Sequence, residues 1–316
     1  MAFYANLFQE TSHMNWDKVK ELAMTFEPVM RRKWPAYLEE IKGLADGAGV
    51  ELADIIAVNV RTEIAFGMFS DGCTALSWRT NNGSFLAQNW DWMEEQKAHL
   101  IALKIEQQGK PTIKMVTEAG LIGKIGINSA GVGVCLNAIK AQGMDPSRIP
   151  CHFGLRMVLE SHSREEAVQN LEKYGVASAC HMLVADASGG VGLEWSSIEV
   201  QKVKMNASKQ VFHSNHYLEK HPGVQDTNWL PDSNFRVTRI EELCKKIGSQ
   251  PTSQALHDCF KDETNYPGSI CRAQVDGNST ATLFNIVMDL EAKEAMVTLG
   301  RPVAPEEYVY LDFKGI

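Results

Sequence analysis

Several features that commonly reveal a protein's function are missing from this chain of 316 residues. It contains no run of about 18 apolar residues, the length that a membrane-spanning helix requires. Residues 1–7 lack the basic and apolar regions of a signal peptide, and residues 312–316 contain no peroxisomal targeting tripeptide. We therefore expect a cytoplasmic protein without a membrane partner.

Basic residues are outnumbered by acidic ones, 31 to 39, which gives a formal net charge of −8. The longest basic run, Arg31-Arg32-Lys33, is too short for a nucleic-acid-binding tract, so no nucleic-acid partner is expected. The seven cysteines form no CxxC pair, which favours reduced thiols over a disulfide framework or a zinc site. Small molecules are therefore the expected ligands.

The common enzyme signatures are absent as well. The sequence has no GxSxG, P-loop, protein-kinase or zinc-finger pattern. The glycine-rich residues 126–137 lie between predicted strands and lack the GxGxxG order, so they do not form a dinucleotide loop. Close backbone approach explains these glycines, and we expect neither a cofactor nor a metal.

The spacing of apolar residues divides the chain into helical and strand-rich parts. Helical periodicity is found over residues 16–44, 52–66, 151–174, 234–247 and 253–261. Pro28 and Pro35 are expected to kink or divide the first of these runs. Predicted strands cover residues 73–79, 84–89, 99–105, 112–117, 124–128, 132–137, 181–187, 191–195, 200–203, 210–213, 282–288 and 295–299, and the first six are expected to form a meander. Helices grouped between blocks of antiparallel strands indicate a single α+β layered fold.

The dipeptide Gly72-Cys73 stands where the helical part ends and the first predicted strand begins. A thiol after a flexible glycine can attack the peptide bond that precedes it, and cleavage there would leave Cys73 with a free α-amine. The thiol and the amine would then serve as nucleophile and base within one residue. The alternative is a small buried cysteine after a turn glycine.

The second predicted strand brings a carboxylate towards Cys73. The Asn82-Gly83 pair is a strong hairpin signal, and pairing across it carries Asp91 back to the start of the first strand. A carboxylate there can orient the α-ammonium group of Cys73 and tune its proton affinity. The alternative role for Asp91 is the capping of a loop.

Polar groups at the ends of other predicted strands are candidates for stabilising an oxyanion. Asn215 follows an apolar strand, and its side-chain amide can donate to such a charge. A backbone N–H near Asn137 is a candidate for the second donor, although core packing accounts for that segment nearly as well. His213 and His216 lack the spacing of common zinc motifs, so we expect them to hold the loop by hydrogen bonds.

Arg272 lies in the apolar, strand-like segment of residues 269–272. An unpaired guanidinium group is costly to bury, so Arg272 is expected to pair with a carboxylate. Asp91 and a bound substrate are the two candidates for that partner. A purely structural salt bridge is the alternative.

A series of short motifs occurs in order along the chain and resembles a known family. The motifs are Arg61-Thr62-Glu63, Asp71-Gly72-Cys73-Thr74, Gln88-Asn89-Trp90-Asp91, Thr117-Glu118-Ala119-Gly120, Asn128-Ser129-Ala130-Gly131-Val132, Ser269-Ile270-Cys271-Arg272 and Gly300-Arg301-Pro302. Together they closely resemble the fungal acyl-CoA:6-aminopenicillanate acyltransferases (isopenicillin-N acyltransferases), which are N-terminal-nucleophile hydrolases. The similarity extends from about Trp34 to Tyr310 and therefore covers most of the chain.

The resemblance implies a four-layer αββα sandwich and a precursor that cleaves itself between Gly72 and Cys73. Residues 1–72 would form an α subunit and residues 73–316 a catalytic β subunit, and the two fragments would remain partners. The implied site residues are Cys73 as nucleophile, Asp91 and Arg272 as its polar neighbours, Asn215 as oxyanion donor and, from a further family motif, Ser196 at the substrate.

The implied activity is transfer of an acyl group through a thioester on Cys73. The donor would be acyl-CoA as co-substrate, or isopenicillin N, whose side chain would be exchanged or hydrolysed, and the acceptor would be the amine of 6-aminopenicillanate. An α-amine with a pKa of about 8 suits the required proton transfers. Two alternatives stay open: an amidohydrolase of the same family that cleaves another small acyl or aminoacyl amide, and an unprocessed, inactive homologue.

Overall fold

The N-terminal part of the chain is helical. The structure is a computed structural model, and it describes residues 1–65, 72–225 and 229–314. The first helices are α1 (Ala2–Ser12), α2 (Trp16–Met24), α3 (Glu27–Lys33), α4 (Pro35–Ala48), α5 (Leu52–Asn59) and α6 (Arg61–Ile64). The helical runs predicted over 16–44 and 52–66 are confirmed as far as Ile64, and residue 66 lies outside the described residues.

Two prolines determine where helices α3 and α4 begin. Pro28 lies in the first turn of α3, and Pro35 is the first residue of α4. Proline is tolerated at these positions because the N–H group that it lacks would have no partner within the helix. The prolines therefore divide the run into separate helices rather than kinking one helix.

Helix α1 is an element that the sequence pattern does not predict. Its buried residues are Tyr4, Leu7 and Phe8, which share one face of a short helix. The ring of Phe8 lies 6.3 Å from the ring of Trp16 on α2, measured between centroids. Tertiary packing of this kind stabilises a short helix, and periodicity over so few residues does not reveal it.

The rest of the chain consists of strands with further helices between them. These helices are α7 (Cys151–Leu159), α8 (Arg164–Tyr174), α9 (Asp232–Ile247) and α10 (Ser253–Cys259). The strands are β1 (Gly72–Thr80), β2 (Gly83–Trp92), β3 (Leu100–Ile105), β4 (Ile113–Glu118), β5 (Ile125–Asn128), β6 (Gly133–Ala138), β7 (Cys180–Asp186), β8 (Gly189–Trp195), β9 (Val200–Val203), β10 (Gln210–His213), β11 (Ala281–Asp289), β12 (Glu294–Leu299) and β13 (Glu307–Asp312). Within the described ranges, no helix is long and apolar enough to cross a membrane.

In the described part of the chain, the strands form two antiparallel sheets. The six-stranded sheet has the order β10-β1-β2-β11-β12-β13, and the seven-stranded sheet runs in chain order from β3 to β9. The predicted meander is therefore confirmed for β3 to β6, but β1 and β2 belong to the other sheet. The chain changes sheets at the 3₁₀ turn Glu94–His99, a break that the alternation of apolar residues does not mark.

The hairpin of β1 and β2 sets the register beside Cys73. A tight turn before Gly83 joins the two strands. In the antiparallel ladder that it closes, Cys73 pairs with Trp90 and Gly72 pairs with Asp91. The prediction that the Asn-Gly turn carries Asp91 back to the start of the first strand is confirmed.

The two sheets face each other and carry helices on their outer faces. Between them, Ala75 of β1 shares a hydrophobic core with Val134 of β6. On the opposite face of the six-stranded sheet, Leu76 packs with Ile240 of α9 and Leu256 of α10. Helices α7 and α8 contact the seven-stranded sheet. This arrangement confirms the α+β fold with four layers in the order αββα.

The close packing of β4 against β5 predicts a cost for a single methyl group. A Cβ added at Gly126 would lie 2.3 Å from the carbonyl oxygen of Lys114 and 2.6 Å from the Cα of Met115. Neither backbone atom can move without disturbing the ladder, so Gly126→Ala is expected to lower the free energy of unfolding by about 3 kcal/mol. Urea denaturation followed by circular dichroism measures this difference.

Gly47→Ala in α4 is the matched control for that substitution. No atom lies within 4 Å of the Cβ that it would add. Alanine is favoured over glycine inside a helix, so this variant is expected to raise the free energy of unfolding by about 0.5–1 kcal/mol. Equal effects of the two substitutions would contradict the packing of β4 against β5.

Candidate active site

The main chain of Cys73 is held by groups from two distant parts of the sequence. Its N–H donates to Oδ1 of Asn215 at 2.9 Å. Its carbonyl oxygen accepts from Oγ of Ser214 at 2.9 Å and from Nη1 of Arg236 at 2.5 Å. The side chain of Cys73 is fully buried in the core between the sheets. The candidate nucleophile is therefore positioned by the segment after β10 and by helix α9.

Asp91 lies directly beside the peptide bond predicted to be cleaved. Its Oδ1 accepts a hydrogen bond from Oγ1 of Thr282 at 2.7 Å. Its Oδ2 is buried and has no hydrogen-bond partner among the described residues, and a Cβ added at Gly72 would lie 2.8 Å from it. Burial raises the pKa of Asp91 to about 6, although the nearby guanidinium groups favour the ionised form. The side chain can therefore exchange a proton near neutral pH.

Arg272 has a carboxylate partner, but the partner is neither of the two expected ones. Its Nη1 and Nη2 donate to Oδ1 and Oδ2 of Asp232 at 3.0 and 2.7 Å, which makes a bidentate ion pair. The ion pair is made with Asp232, the first residue of α9, and not with Asp91, so the alternative of a structural salt bridge is confirmed and a substrate contact of Arg272 stays a prediction. The expected strand-like setting is wrong, since Arg272 lies in an irregular segment between α10 and β11.

The amide of Asn215 has a defined orientation. Its Oδ1 accepts from the N–H of Cys73 and from Nη2 of Arg236 at 2.8 Å, and two donors identify this atom as the oxygen. Its Nδ2 donates to the carbonyl oxygen of Ala138 at 3.0 Å. The structure therefore brings Asn215 to Cys73 through its oxygen, and its role as an oxyanion donor stays a prediction.

The two histidines near Asn215 form hydrogen bonds, as expected. Nε2 of His213 lies 2.8 Å from Oε1 of Glu194, and its Nδ1 lies 2.8 Å from the carbonyl oxygen of Ser214. Nδ1 of His216 lies 2.6 Å from Oγ of Ser233. These contacts join the end of β10 to β8 and the segment after β10 to α9.

Asn137 and Ser196, the remaining candidate residues, differ in their surroundings. Oδ1 of Asn137 lies 3.0 Å from Nδ1 of His181, while its Nδ2 is buried without a partner in the described ranges. Ser196 makes local contacts, since its Oγ accepts from the N–H of Glu199 at 3.0 Å and stabilises the turn after β8. Asn137 thus has a buried donor to offer, and the substrate role of Ser196 stays a prediction.

Four residues of this site were not predicted from the sequence: Ser214, Asp232, Arg236 and Thr282. Asp232 and Arg236 are one helical turn apart, and their side chains form an ion pair at 2.8 Å. This i,i+4 spacing is visible in the sequence. The predicted helix began only at residue 234, however, and charged residues on helices are ordinarily exposed. Nothing in the pattern indicates that Arg236 is fully buried.

A pocket lies next to the β1–β2 ladder. Its wall includes Trp90, which pairs with Cys73, and Ala138, whose carbonyl oxygen binds Asn215. The other apolar lining residues include Trp92, Leu136, Ile139, Ala179 and Trp229. Apolar and aromatic side chains therefore make up most of the lining of this pocket, and one of them, Trp90, is the ladder partner of Cys73.

A buried ion cluster supports one wall of this pocket. Arg61 and Lys124 both donate to Oε2 of Glu118, and Nζ of Lys124 lies 3.8 Å from the centre of the Trp90 ring. Burial acts to raise the pKa of Glu118, but these two cations hold it well below its usual range. Burial, assisted by the same cations, lowers the pKa of His152 well below its ordinary value. The imidazole that lines the pocket is therefore neutral.

Two facing sheets, helices on their outer faces and a cysteine at the beginning of β1 define the fold of an N-terminal-nucleophile hydrolase. An N-acylethanolamine-hydrolyzing acid amidase ortholog from Caenorhabditis elegans is similar over 69% of this chain and 93% of its own, with a TM-score of 0.52 and 19% identity. Penicillin V acylase from Agrobacterium tumefaciens is similar over 77% and 87%, with a TM-score of 0.51 and 16% identity. A conjugated bile acid hydrolase variant from Clostridium perfringens is similar over 76% and 92%, with a TM-score of 0.53 and 14% identity.

Sequence similarity identifies the particular family. The profile of the family described as acyl-coenzyme A:6-aminopenicillanic acid acyl-transferase matches residues 78–304. The acyl-coenzyme A:6-aminopenicillanic-acid-acyltransferase 40 kDa form of Emericella nidulans is 43% identical over 304 residues, which are 95% of this chain and 85% of that protein. The chain therefore belongs to the acyl-coenzyme A:6-aminopenicillanic acid acyltransferase family. The resemblance inferred from the ordered motifs is confirmed.

The raised pKa of Asp91 predicts how stability depends on pH. In the folded protein its pKa is about 6, above its ordinary value of 3.8, so folding disfavours the ionised form. At pH 7, Asp91→Asn is expected to raise the free energy of unfolding by about 3 kcal/mol. The gain should shrink as the pH falls from 6 towards 4 and vanish below that, because the wild-type carboxyl is then neutral in both states.

Urea denaturation at pH 7 and at pH 4 measures this dependence. Both proteins should carry Cys73→Ala, so that each is compared as one intact chain. A difference between Asp91 and its asparagine variant that is the same at both pH values would contradict the prediction.

Proposed function

We propose that the chain cleaves itself between Gly72 and Cys73 and then acts as an acyltransferase with Cys73 as nucleophile. The acyl donor would be an acyl-CoA or isopenicillin N, and the acceptor would be the amine of 6-aminopenicillanate. The observation that carries the proposal is the position of Cys73 at the start of β1. There its N–H and carbonyl are both bound, and the carboxylate of Asp91 lies beside the preceding residue.

Self-cleavage would proceed by an acyl shift from nitrogen to sulfur. The thiol of Cys73 attacks the carbonyl carbon of Gly72, the peptide C–N bond breaks, and the nitrogen leaves as the α-amine of Cys73 after gaining a proton. Water then hydrolyses the thioester and releases the carboxylate of Gly72 and the free thiol. Asp91, with a pKa of about 6 and a buried Oδ2 without a partner in the described ranges, is suited to moving the protons.

Acyl transfer would use the same thiol a second time. The new α-amine accepts the thiol proton, the thiolate attacks the acyl carbonyl, and the proton passes to the leaving CoA thiol or amine. Oδ1 of Asn215 already accepts a hydrogen bond from the nitrogen of Cys73 and would keep the amine in place. The acceptor amine then attacks the thioester and regenerates the thiol. Nδ2 of Asn137 is a buried donor that would stabilise the oxyanion.

The aromatic pocket is the proposed site of the acyl group. Trp90 is both a wall of the pocket and the ladder partner of Cys73, so an acyl chain bound there would contact the residue that pairs with the proposed nucleophile. The neutral imidazole of His152 and the apolar side chains of Leu136 and Ile139 add no charge to the lining, whereas Arg61 and Lys140 contribute positive charge to it. A ring such as that of a phenylacetyl group matches these surroundings.

Mass spectrometry and a substrate panel test the proposal. We expect the purified protein to contain two fragments, residues 1–72 and 73–316, and Cys73→Ala to leave one intact chain without turnover. The processed protein should convert phenylacetyl-CoA and 6-aminopenicillanate to the acylated product. Cys135→Ala, at another buried cysteine in the core, is the matched control and should be processed and active.

Three outcomes would contradict parts of the proposal. Turnover by Cys73→Ala would remove Cys73 as nucleophile. An intact wild-type chain would remove self-cleavage. Release of free phenylacetate without transfer to the amine would replace the acyltransferase by an amidohydrolase.

A larger side chain in the pocket should change the choice of acyl donor. Ala179 lines the pocket and is buried, so Ala179→Phe would fill space that a phenylacetyl group requires. We expect kcat/KM for phenylacetyl-CoA to fall about tenfold or more, while acetyl-CoA changes by less than about twofold. Ala187→Phe, at an exposed turn between β7 and β8, should alter neither value. Equal losses for both donors in Ala179→Phe would place the acyl group elsewhere.

A further inference from the structure

Arg236 is a fully buried arginine on the first turns of α9 whose guanidinium group reaches the candidate nucleophile. Its Nη1 donates to the carbonyl oxygen of Cys73 at 2.5 Å and to Oγ1 of Thr74 at 3.1 Å. Its Nη2 donates to Oδ1 of Asn215 at 2.8 Å, and its Nε to Oδ1 of Asp232 at 2.8 Å. One planar group thus connects the nucleophile, the amide beside it and the start of the helix.

These contacts are more than charge neutralisation requires. Asp232 forms the ion pair with Arg236 and shares its charge with Arg272, while the carboxyl group of Asp91 lies near enough to act on Arg236 as well. The other donors of Arg236 face neutral oxygen atoms, two of which belong to Cys73 and Asn215. Because Oδ1 of Asn215 accepts from both the nitrogen of Cys73 and Arg236, the guanidinium group holds that amide with its oxygen towards Cys73.

We propose that Arg236 is a positioning residue that keeps Cys73 and Asn215 in their reactive arrangement after Cys73 has become the N-terminal residue. The inference rests on the function proposed above. Before cleavage, two peptide bonds restrain Cys73, whereas afterwards only one remains. The carbonyl oxygen of Cys73, held by Arg236 and Ser214, then fixes the residue together with the contact between its nitrogen and Asn215.

Lysine cannot replace Arg236 in this role. The guanidinium group offers several donors in a fixed plane, which allows it to hold Cys73, Asn215 and Asp232 at once. An ammonium group keeps the charge but not this geometry. Arg236→Lys therefore separates the positioning of Cys73 from the electrostatic effect of a cation.

The test compares Arg236→Lys with Arg239→Lys on processed protein. Arg239 lies on the same helix, is partly exposed and pairs with Asp262 and Glu242. Rates should be normalised to the amount of Cys73 that a thiol reagent can label. We expect kcat of Arg236→Lys to fall about 100-fold with little change in KM, because small displacements of a reacting group cost about that much. Arg239→Lys should keep the wild-type kcat.

A second measurement does not depend on the substrate. The rate at which iodoacetamide alkylates Cys73, read from the mass of the N-terminal peptide of the 73–316 fragment, reports the reactivity of the thiol itself. Arg236→Lys should slow this alkylation, and Arg239→Lys should not. A wild-type protein that is alkylated and processed but transfers no acyl group would overturn the proposed function and leave this inference standing.

Ser214→Ala keeps the inference testable if Arg236→Lys does not fold. It removes the other donor to the carbonyl oxygen of Cys73 with a much smaller change. We expect slower alkylation and a lower normalised kcat, with KM again little changed. If folded Arg236→Lys or Ser214→Ala kept the wild-type kcat and the wild-type rate of alkylation, the contacts to the carbonyl oxygen of Cys73 would have no positioning role, and the inference would be overturned.

Discussion

The two ion pairs of Asp232 join the parts of the candidate site that come from different regions of the chain. One pair holds Arg236, which reaches Cys73 and Asn215, and the other holds Arg272 in the segment before β11. Both arginines are buried, so each depends on this carboxylate to offset the cost of desolvation. The first residue of helix α9 therefore determines where both cations stand relative to the nucleophile.

The same network gives the carboxyl groups of Asp232 and Asp91 different pKa values, because their surroundings differ. Burial acts to raise the pKa of Asp232, but the bonds to both guanidinium groups hold it below its ordinary value. Burial raises the pKa of Asp91 to about 6, because it outweighs the positive charges of Arg236 and Arg272, which favour the ionised form. Of the two, Asp232 is a permanent counterion, and Asp91 is the group able to exchange a proton at physiological pH.

The sequence predicted the parts of the site that depend on short-range geometry. Asp91 faces Gly72 because a tight turn fixes the register of β1 and β2, and counting along two strands is sufficient to find it. The partner of Arg272 required knowledge of how α9 docks on the sheet, which no local pattern contains. Arg236 was missed for a related reason, because a charged residue in a helix gives no sign that it will be buried. The edge strand β13 was missed too, since its exposed tyrosines hide the alternation.

The close contact between Gly72 and Asp91 bears on the chain end that the proposed cleavage would create. Cutting the chain there leaves a terminal carboxylate at Gly72, next to the buried Oδ2 of Asp91. Two carboxylates so close in a poorly solvated site cannot both stay ionised without a large repulsion. Either one carboxyl group takes up a proton or the new chain end moves away from Cys73, and at neutral pH only the second outcome also frees the space that a substrate would need.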